Sequence, residues 1–255
     1  MSANGIVYDY AGATDRGRWR ARNEDTYYIP DGAGPDHLLI VADGMGGYRA
    51  GNTASEKATH TVRDMLVPVR GIGTAHESAE QRILRAIARA NDVVRTHAEQ
   101  VEECQGMGTT LVVALLDGAE WVVGNVGDSR AYHYARRSVR QITVDHSLVQ
   151  EMMDAGRLTQ EEAAVHIHRN IITRAVGTEE SVLADTYRVA LSPGEMLMLC
   201  SDGLNEHVSD REIARILSGR SALERKARAL IAAANKRGGR DNITVVLAAC
   251  REVSA

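Results

Sequence analysis

The sequence predicts a protein of the α+β class, with antiparallel strands at its centre and helices on the outside. First, short apolar runs recur along the 255-residue chain, and several are joined by loops too short for a crossover helix. Second, two longer segments carry apolar residues at helical spacing. Third, three hydroxyl residues are each followed three positions later by Glu, which is the capping box that opens a helix.

Ten apolar runs predict strands, and most of them are short and bounded by turn residues. Asp117 and Gly118 lie between two of these runs, as in a hairpin, because Asp and Gly are the residues that tight turns require. The ten predicted strands lie near residues 5–13, 26–29, 37–42, 109–116, 120–126, 130–134, 139–143, 184–190, 195–200 and 243–249.

Residues 52–66 and 79–98 predict two amphipathic helices, because their apolar residues repeat every three or four positions. Three further helices are predicted from capping boxes, which brings the total to about five. The boxes pair Thr159 with Glu162, Ser209 with Glu212, and Ser221 with Glu224.

Composition predicts a single domain over residues 1–255. No Pro-, Ser- or Gly-rich linker, repeat or low-complexity block divides the chain, and a hydrophobic content of 44% is enough for a substantial core. The net charge is −4, from 30 basic and 34 acidic residues, so a general attraction to nucleic acid or to an anionic membrane is not expected.

The sequence also predicts a cytoplasmic protein. No stretch reaches the roughly 18 to 20 apolar residues of a membrane span, and the N-terminus lacks the basic and apolar regions of a secretory leader. Cys104, Cys200 and Cys250 are far apart in sequence and are expected to be reduced. Since no His or Cys pair has metal-ligand spacing, a zinc site is disfavoured.

Five aspartates in settings rich in Gly, Ser or Asn are the candidate metal ligands. An isolated Asp-Gly pair is usually a turn, but three of the five follow apolar runs, which is how strand ends bring acids to one site. Mg²⁺ and Mn²⁺ prefer oxygen ligands of this kind. The five are Asp25 in NED, Asp43 in ADGMGG, Asp128 in GDSR, Asp202 in SDGL and Asp241 in RDN.

These motifs resemble, in order and over nearly the whole chain, the metal-dependent Ser/Thr protein phosphatases of the 2C type, known as the PPM family, and specifically their bacterial branch. The matching strings are TDRG at 14–17 with Arg20, NED at 23–25, DGMGG at 43–47, GMGTT at 106–110, GDSR at 127–130, DHSLV at 145–149, RNIITRAVG at 169–177, SDGL at 201–204 and RDNITVV at 240–246.

The resemblance implies a fold that the pattern alone does not give. Two antiparallel sheets would pack face to face, with a helical layer on each side, as a four-layer αββα sandwich. The metal site would lie at one end of this sandwich. Residues 145–177 would form a flap beside the site, in the position that influences substrate choice in bacterial relatives.

The resemblance also implies the roles of the site residues. Two Mn²⁺ or Mg²⁺ ions would activate a water for attack on the phosphate, with a weaker third ion beside them. Asp43 would bridge the two main ions, the Gly44 carbonyl would bind one, and Asp202 and Asp241 the other. Glu24 and Asp25 would act through metal-bound waters, Asp128 with Asp202 would bind the third ion, and Arg20 would bind the substrate phosphate, a task that suits its planar and permanently charged fork.

One position departs from the eukaryotic members of the family. They carry a His where this chain has Met45, and that His is the proposed acid that protonates the leaving group. The bacterial branch shares this Met, and Met cannot donate a proton. A metal-bound water or another residue must then protonate the leaving group. His146 is a candidate, although a structural role is favoured for it.

The predicted function is a protein Ser/Thr phosphatase that hydrolyses phosphoserine and phosphothreonine and counteracts Ser/Thr kinases. Its expected partners are phosphorylated proteins and a cognate kinase, and the protein is expected to be a monomer. One alternative is a relative that acts on anti-sigma-factor antagonists. A non-catalytic binding module is the other, but such a module is expected to lose metal ligands, and all five acids and Arg20 are present.

Overall fold

Two antiparallel sheets form the centre of the molecule in the computed structural model, which describes residues 5–31, 37–46, 50–67 and 77–253. The first, sheet I, has the strand order β1 (Ile6–Asp15), β11 (Ile243–Glu252), β10 (Met196–Cys200), β7 (Arg130–Ala135) and β8 (Ser138–Gln141). The second, sheet II, has the order β2 (Asp25–Tyr28), β3 (Leu38–Met45), β5 (Leu111–Asp117), β6 (Glu120–Val126) and β9 (Asp185–Ala190), and β4 (Gly108–Thr109) pairs with the end of β3.

The alternation of side chains along the strands builds two faces on each sheet. On β3, Leu39 and Val41 face the other sheet and belong to the same buried cluster as Leu199 and Val246 of sheet I. Ile40, between them in sequence, faces the opposite way and packs with the helices outside sheet II. β3 is therefore apolar on both faces, as expected of a strand in a middle layer of the molecule.

The outer layers are helical. Sheet II is covered by α1 (Ala50–Leu66) and α2 (Ala79–Gln100), and sheet I by α6 (Asp210–Leu217) and α7 (Leu223–Lys236). Three shorter helices are α3 (Leu148–Asp154), α4 (Gln160–Ala164) and α5 (Asp202–Asn205), and a 3₁₀ turn spans Glu102–Cys104. The predicted α+β class and the four-layer αββα arrangement are both confirmed.

Some local predictions were wrong. The apolar run 109–116 was predicted as one strand, but β4 ends at Thr109 and β5 begins at Leu111. At Thr110, between them, the side-chain hydroxyl accepts the Asp43 N–H at 3.0 Å, which interrupts the backbone pairing with β3. Seven helices are described rather than about five, because neither helical spacing of apolar residues nor a capping box was recognised for α3 and α5. The helix predicted at Ser221 has Ala222 as its N-cap.

Of the three predicted capping boxes, only that of Thr159 is present, with both reciprocal hydrogen bonds to Glu162. Ser209 is the N-cap of α6, but its side chain makes no capping hydrogen bond. The acid that would complete that box, Glu212, is instead within ion-pair distance of Arg215 and Arg237. A local sequence string was therefore overridden by contacts that only the folded chain provides.

Residues 145–177 leave the sandwich between β8 and β9 and contain α3 and α4. The base of this segment is held by antiparallel bridges, one between Ser147 and Ile172 and one between Thr109 and Val176. Among the described residues, no helix is both long and apolar enough to cross a membrane. The three cysteines are buried and free.

Candidate metal centre

The strands bring the predicted site residues to one end of the sandwich. Asp25 and Asp43 are directly opposite each other on β2 and β3. Asp128 follows β6, Asp202 follows β10 as the first residue of α5, and Asp241 precedes β11. Five acids that are separated by more than two hundred residues in sequence therefore lie around one site.

A pocket of about 230 Å³ opens at this end. Every predicted site residue except Asp25 lines it. The lining residues are Arg20, Glu24, Asp43, Gly44, Met45, Gly46, Thr110, Asp128, Asn170, Ile172, Asp202, Asp241 and Asn242.

Asp25 lies behind the pocket and is only 7% exposed. Its Oδ2 accepts hydrogen bonds from the hydroxyls of Ser201 at 2.7 Å and Thr244 at 2.6 Å. Its Oδ1 is buried and has no hydrogen-bond partner among the residues that the structure describes. A buried carboxylate oxygen without a partner is costly, and an additional ligand at this oxygen would relieve that cost.

The carboxylates raise one another's pKa values. Burial, followed by the charges of Asp25 and Asp202, raises the pKa of Asp43 well above its usual range. Burial and the charge of Asp128 do the same to the pKa of Asp202. The pKa of Asp128 is raised to about 7, chiefly by burial and then by the charge of Asp145. Burial and like charge therefore favour the protonated forms of these carboxyl groups, and bound cations would favour the ionised forms.

The residues fit hard divalent cations. Asp202 Oδ1, like Asp25 Oδ1, is buried without a hydrogen-bond partner. Within the described part of the chain, no three His, Cys, Asp or Glu side chains are arranged so that they alone could hold a metal ion. Mg²⁺ and Mn²⁺ usually keep several waters, so carboxylates that act partly through water can still hold them.

Arg20 lies at the mouth of the pocket, with its side chain 52% exposed. Its Nη2 donates to Asp241 Oδ2 at 2.6 Å. The pKa of Glu24, beside it, is raised by burial and by Asp241, although the charge of Arg20 opposes this. The predicted phosphate-binding arginine and two of the predicted acids are therefore in direct electrostatic contact.

Gly44 occupies a position that only glycine can fill. A Cβ there would lie 2.0 Å from the Gly51 carbonyl oxygen and 2.7 Å from the Glu24 carbonyl oxygen. The Gly44 N–H donates to that Glu24 carbonyl. The close approach of three backbone segments brings the end of β3 to the pocket wall.

Asn242 is a site residue whose role the sequence did not reveal. Its side chain accepts from the Glu24 N–H at 2.8 Å and donates to the Arg16 and Arg22 carbonyls at 2.9 and 2.8 Å. It therefore fixes the loop that carries Arg20. The only available signal was its place beside Asp241 in the RDN string, and that string does not indicate which backbone groups the amide would bind.

His146 lies outside the pocket lining and is 5% exposed. Its Nδ1 accepts from the Gly127 N–H at 3.1 Å, and its Nε2 is 3.1 Å from Asp185 Oδ2. Both ring nitrogens thus have partners: Nδ1 joins the base of the 145–177 segment to the turn before Asp128, and Nε2 joins it to the start of β9. This arrangement supports the structural role predicted for His146.

The GDSR string at 127–130 also contains a supporting residue. Arg130 makes a bidentate ion pair with Asp145, with Nη2 2.6 Å from Oδ2. Its Nη1 donates to the Tyr132 hydroxyl at 3.0 Å. This pair links β7 to the first residue of the 145–177 segment and places a charged network behind Asp128.

Comparison with known proteins agrees with this geometry. The protein phosphatase 2C family profile matches residues 16–248. The serine/threonine phosphatase stp of Listeria monocytogenes is 42% identical over 234 residues, which is 92% of each chain. The structure of the S. agalactiae serine/threonine phosphatase covers 95% of this chain and 99% of its own at 36% identity, with a TM-score of 0.87.

One structural neighbour was solved with metal. The catalytic domain of the serine/threonine protein phosphatase PstP, in complex with two manganese ions, is 34% identical with a TM-score of 0.83. It covers 97% of this chain and all of its own.

Proposed function

The chain belongs to the protein phosphatase 2C family and is a metal-dependent protein Ser/Thr phosphatase, and we propose that the acidic pocket is its catalytic centre. The observation that carries this proposal is the buried acidic cluster. Burial and mutual repulsion raise the pKa values of Asp43 and Asp202, and Asp202 has a buried oxygen without a partner. Divalent cations would remove both penalties.

The proposed ligand roles are those that the family resemblance implies, and all of these residues except Asp25 line the pocket. Asp43 would hold both main ions, with the Gly44 carbonyl on one and Asp202 and Asp241 on the other. Asp25 has a free buried oxygen behind Asp43, which suits a ligand that acts through a water, as we propose for Glu24 as well. Asp128, together with Asp202, would hold a third and weaker ion.

Cations in this pocket would neutralise the phosphoryl oxygens and lower the pKa of a water that attacks phosphorus. The chain's own contribution begins with Arg20. In the structure its guanidinium is paired with Asp241, and we propose that it exchanges this carboxylate for the substrate phosphate when Asp241 binds metal. A planar guanidinium can bind two phosphate oxygens at once, and so it orients the ester for in-line attack.

Protonation of the leaving alkoxide needs a donor other than Met45. Met45 lines the pocket, but a thioether has no proton to donate. Both ring nitrogens of His146 have partners away from the pocket. We propose that a water in the pocket supplies the proton.

The cellular setting is also proposed. The substrates are phosphorylated proteins, and the enzyme would counteract a cognate Ser/Thr kinase as a cytoplasmic monomer that acts through a single domain of 255 residues. Either Mn²⁺ or Mg²⁺ would support activity. The three free buried cysteines are compatible with a reducing compartment.

The test is hydrolysis of a phosphothreonine peptide by the purified protein in Mn²⁺, in Mg²⁺ and in EDTA, with two variants alongside. Asp202→Asn removes one proposed ligand. Asp92→Asn, on the exposed face of α2, makes the same charge change away from the pocket. We expect turnover with either metal, none in EDTA, loss in Asp202→Asn and wild-type turnover in Asp92→Asn. Turnover that persists in EDTA would refute the proposal.

A further inference from the structure

A concentration of positive charge borders the acidic pocket. The loop before β2 carries Arg16, Arg18, Arg20 and Arg22. The loop before β11 approaches it directly: the Arg18 N–H donates to the Gly239 carbonyl at 2.7 Å, and a Cβ on Gly17 would lie 2.1 Å from the Asp241 carbonyl oxygen. Arg240 lies in this second loop. In a chain with a net charge of −4, such local clustering of arginines is unusual.

Two of these five arginines have partners within the two loops. Arg20 pairs with Asp241, and Arg16 donates to the Ala21 carbonyl at 3.2 Å. Arg18, Arg22 and Arg240 are exposed and make no ion pair with any described residue. We refer to these three as the basic rim. Both loops are fixed by backbone contacts and by Asn242, so the rim is held beside the pocket.

Trp19 lies between Arg18 and Arg20 and is 77% exposed. The chain has two tryptophans, and the other, Trp121, is fully buried. A large exposed aromatic side chain next to unpaired arginines is typical of a binding surface, because Trp and Arg are the residues most enriched where protein partners make their strongest contacts.

We propose that the basic rim binds Asp and Glu side chains that flank the phosphorylated residue of a protein substrate, and that Trp19 packs against the same segment. The inference rests on the proposed function, because it places the phosphate in the pocket beside Arg20. The substrate class is therefore a phosphoserine or phosphothreonine segment with acidic neighbours.

Charge explains why such a surface would be needed. Acidic side chains line the pocket and disfavour the approach of further negative charge on a substrate, and the basic rim offsets this effect. A long polyanion such as RNA fits less well, since Glu24 lies within the field of Arg22 and Asp241 follows Arg240, so acidic residues interrupt the basic rim. A peptide can place its phosphate in the pocket and its carboxylates on the rim.

The test compares two phosphothreonine peptides that differ only in having Glu or Gln around the phosphorylated residue. It uses the metal-loaded protein, a rim variant with Arg18→Gln, Arg22→Gln and Arg240→Gln, and a control variant with Arg89→Gln, Arg140→Gln and Arg225→Gln. The control arginines are exposed, lie on α2, β8 and α7, and also lack ion pairs, so both variants change the net charge equally.

We expect the wild type to prefer the Glu peptide by about fivefold to tenfold in kcat/KM at low salt, from three exposed charge contacts of modest strength each. The preference should disappear in the rim variant and at high salt, and should persist in the control variant. Trp19→Ala should raise KM for both peptides, because an apolar contact does not distinguish Glu from Gln.

The outcomes separate this inference from the proposed function. Equal kcat/KM for the two peptides in the wild type would overturn the inference and leave the phosphatase intact. The inference would also be overturned if the control variant lost the preference as fully as the rim variant, since overall charge would then be the cause. Failure to hydrolyse either peptide in any metal would refute the proposed function itself.

Discussion

Asn242 shows how one amide can organise a catalytic loop. Three of its hydrogen bonds reach the backbone of residues 16–24, more than two hundred positions away in sequence. Residues that hydrogen-bond to the ligands and loops of a metal site are often nearly as important as the ligands themselves. The loop that Asn242 holds carries Arg20 and Glu24.

We predict that Asn242→Ala lowers kcat/KM by about 10- to 100-fold, the usual cost of removing such a supporting partner. The rise in KM should be prominent, since Arg20 would no longer be held at the mouth of the pocket. Steady-state kinetics on a phosphopeptide measures both constants. Wild-type kinetics in a folded Asn242→Ala protein would show that the loop needs no such support.

His146→Ala tests the structural role of that residue. The substitution leaves the buried Gly127 N–H without its acceptor, which should lower the free energy of unfolding by about 1 to 3 kcal/mol. His146→Asn offers an oxygen near the position of Nδ1 and should recover part of this loss. The pH profile of kcat should keep its shape in both variants. Loss of the fall in kcat at high pH, where a general acid is deprotonated, would instead identify His146 as the proton donor.

At the residue scale, the sequence predicted the acids but not their supports. Asp43, Asp128 and Asp202 could be recognised because each follows an apolar run, and the site gathers them as predicted. The hydroxyls of Ser201 and Thr244 that bind Asp25 could not be predicted. Their function depends on the register between strands, which no local string encodes.

At the scale of elements, regular strands were more predictable than helix boundaries. The alternation in β3 places Leu39 and Ile40 on opposite faces, as the pattern requires. The string at Ser221, by contrast, resembles a helix start, yet α7 begins after Ala222. The alternation along a strand is set by every residue of its buried face. A capping box depends on two hydrogen bonds, and other contacts can replace them.

The packing of α2 on sheet II provides a test at this scale. A Cβ on Gly124 of β6 would lie 2.4 Å from Cγ2 of Ile83 on α2, so Gly124→Ala should push the helix from the sheet. We expect a loss of about 1 to 3 kcal/mol in unfolding free energy, the typical cost of overpacking. Urea denaturation measures it.

Gly118→Asn serves as the control for that substitution. Gly118 lies in the turn between β5 and β6 with φ +64°, and a Cβ there would contact nothing within 4 Å. Asn tolerates this left-handed conformation. A Gly124→Ala protein as stable as the Gly118→Asn protein would show that α2 is not tightly packed at this point.

At the scale of the whole molecule, the acidic cluster links stability to pH. Burial raises the pKa of Asp25 to about 6 and that of Asp128 to about 7, whereas an unfolded Asp has a pKa near 4. The folded metal-free protein therefore binds more protons than the unfolded chain between these values. Its stability should increase as the pH falls from about 7.5 to about 5.

Thermal unfolding in EDTA across this range measures the effect. Asp128→Asn should reduce the slope, because it removes one of the carboxyl groups whose pKa is raised in the folded protein. Saturating Mn²⁺ should reverse the dependence, since metal binds the deprotonated carboxylates. A melting temperature in EDTA that falls steadily as the pH is lowered over the same range would contradict the assigned pKa directions.

Direct counting of bound Mn²⁺ tests most simply whether this acidic pocket holds a pair of divalent ions. Isothermal titration calorimetry of the metal-free protein at neutral pH should give two tightly bound ions per chain in the wild type. Asp43→Asn, which removes the proposed shared ligand, should lose tight binding of both. A single ion in the wild type, or an Asp43→Asn protein that binds Mn²⁺ as the wild type does, would contradict the account.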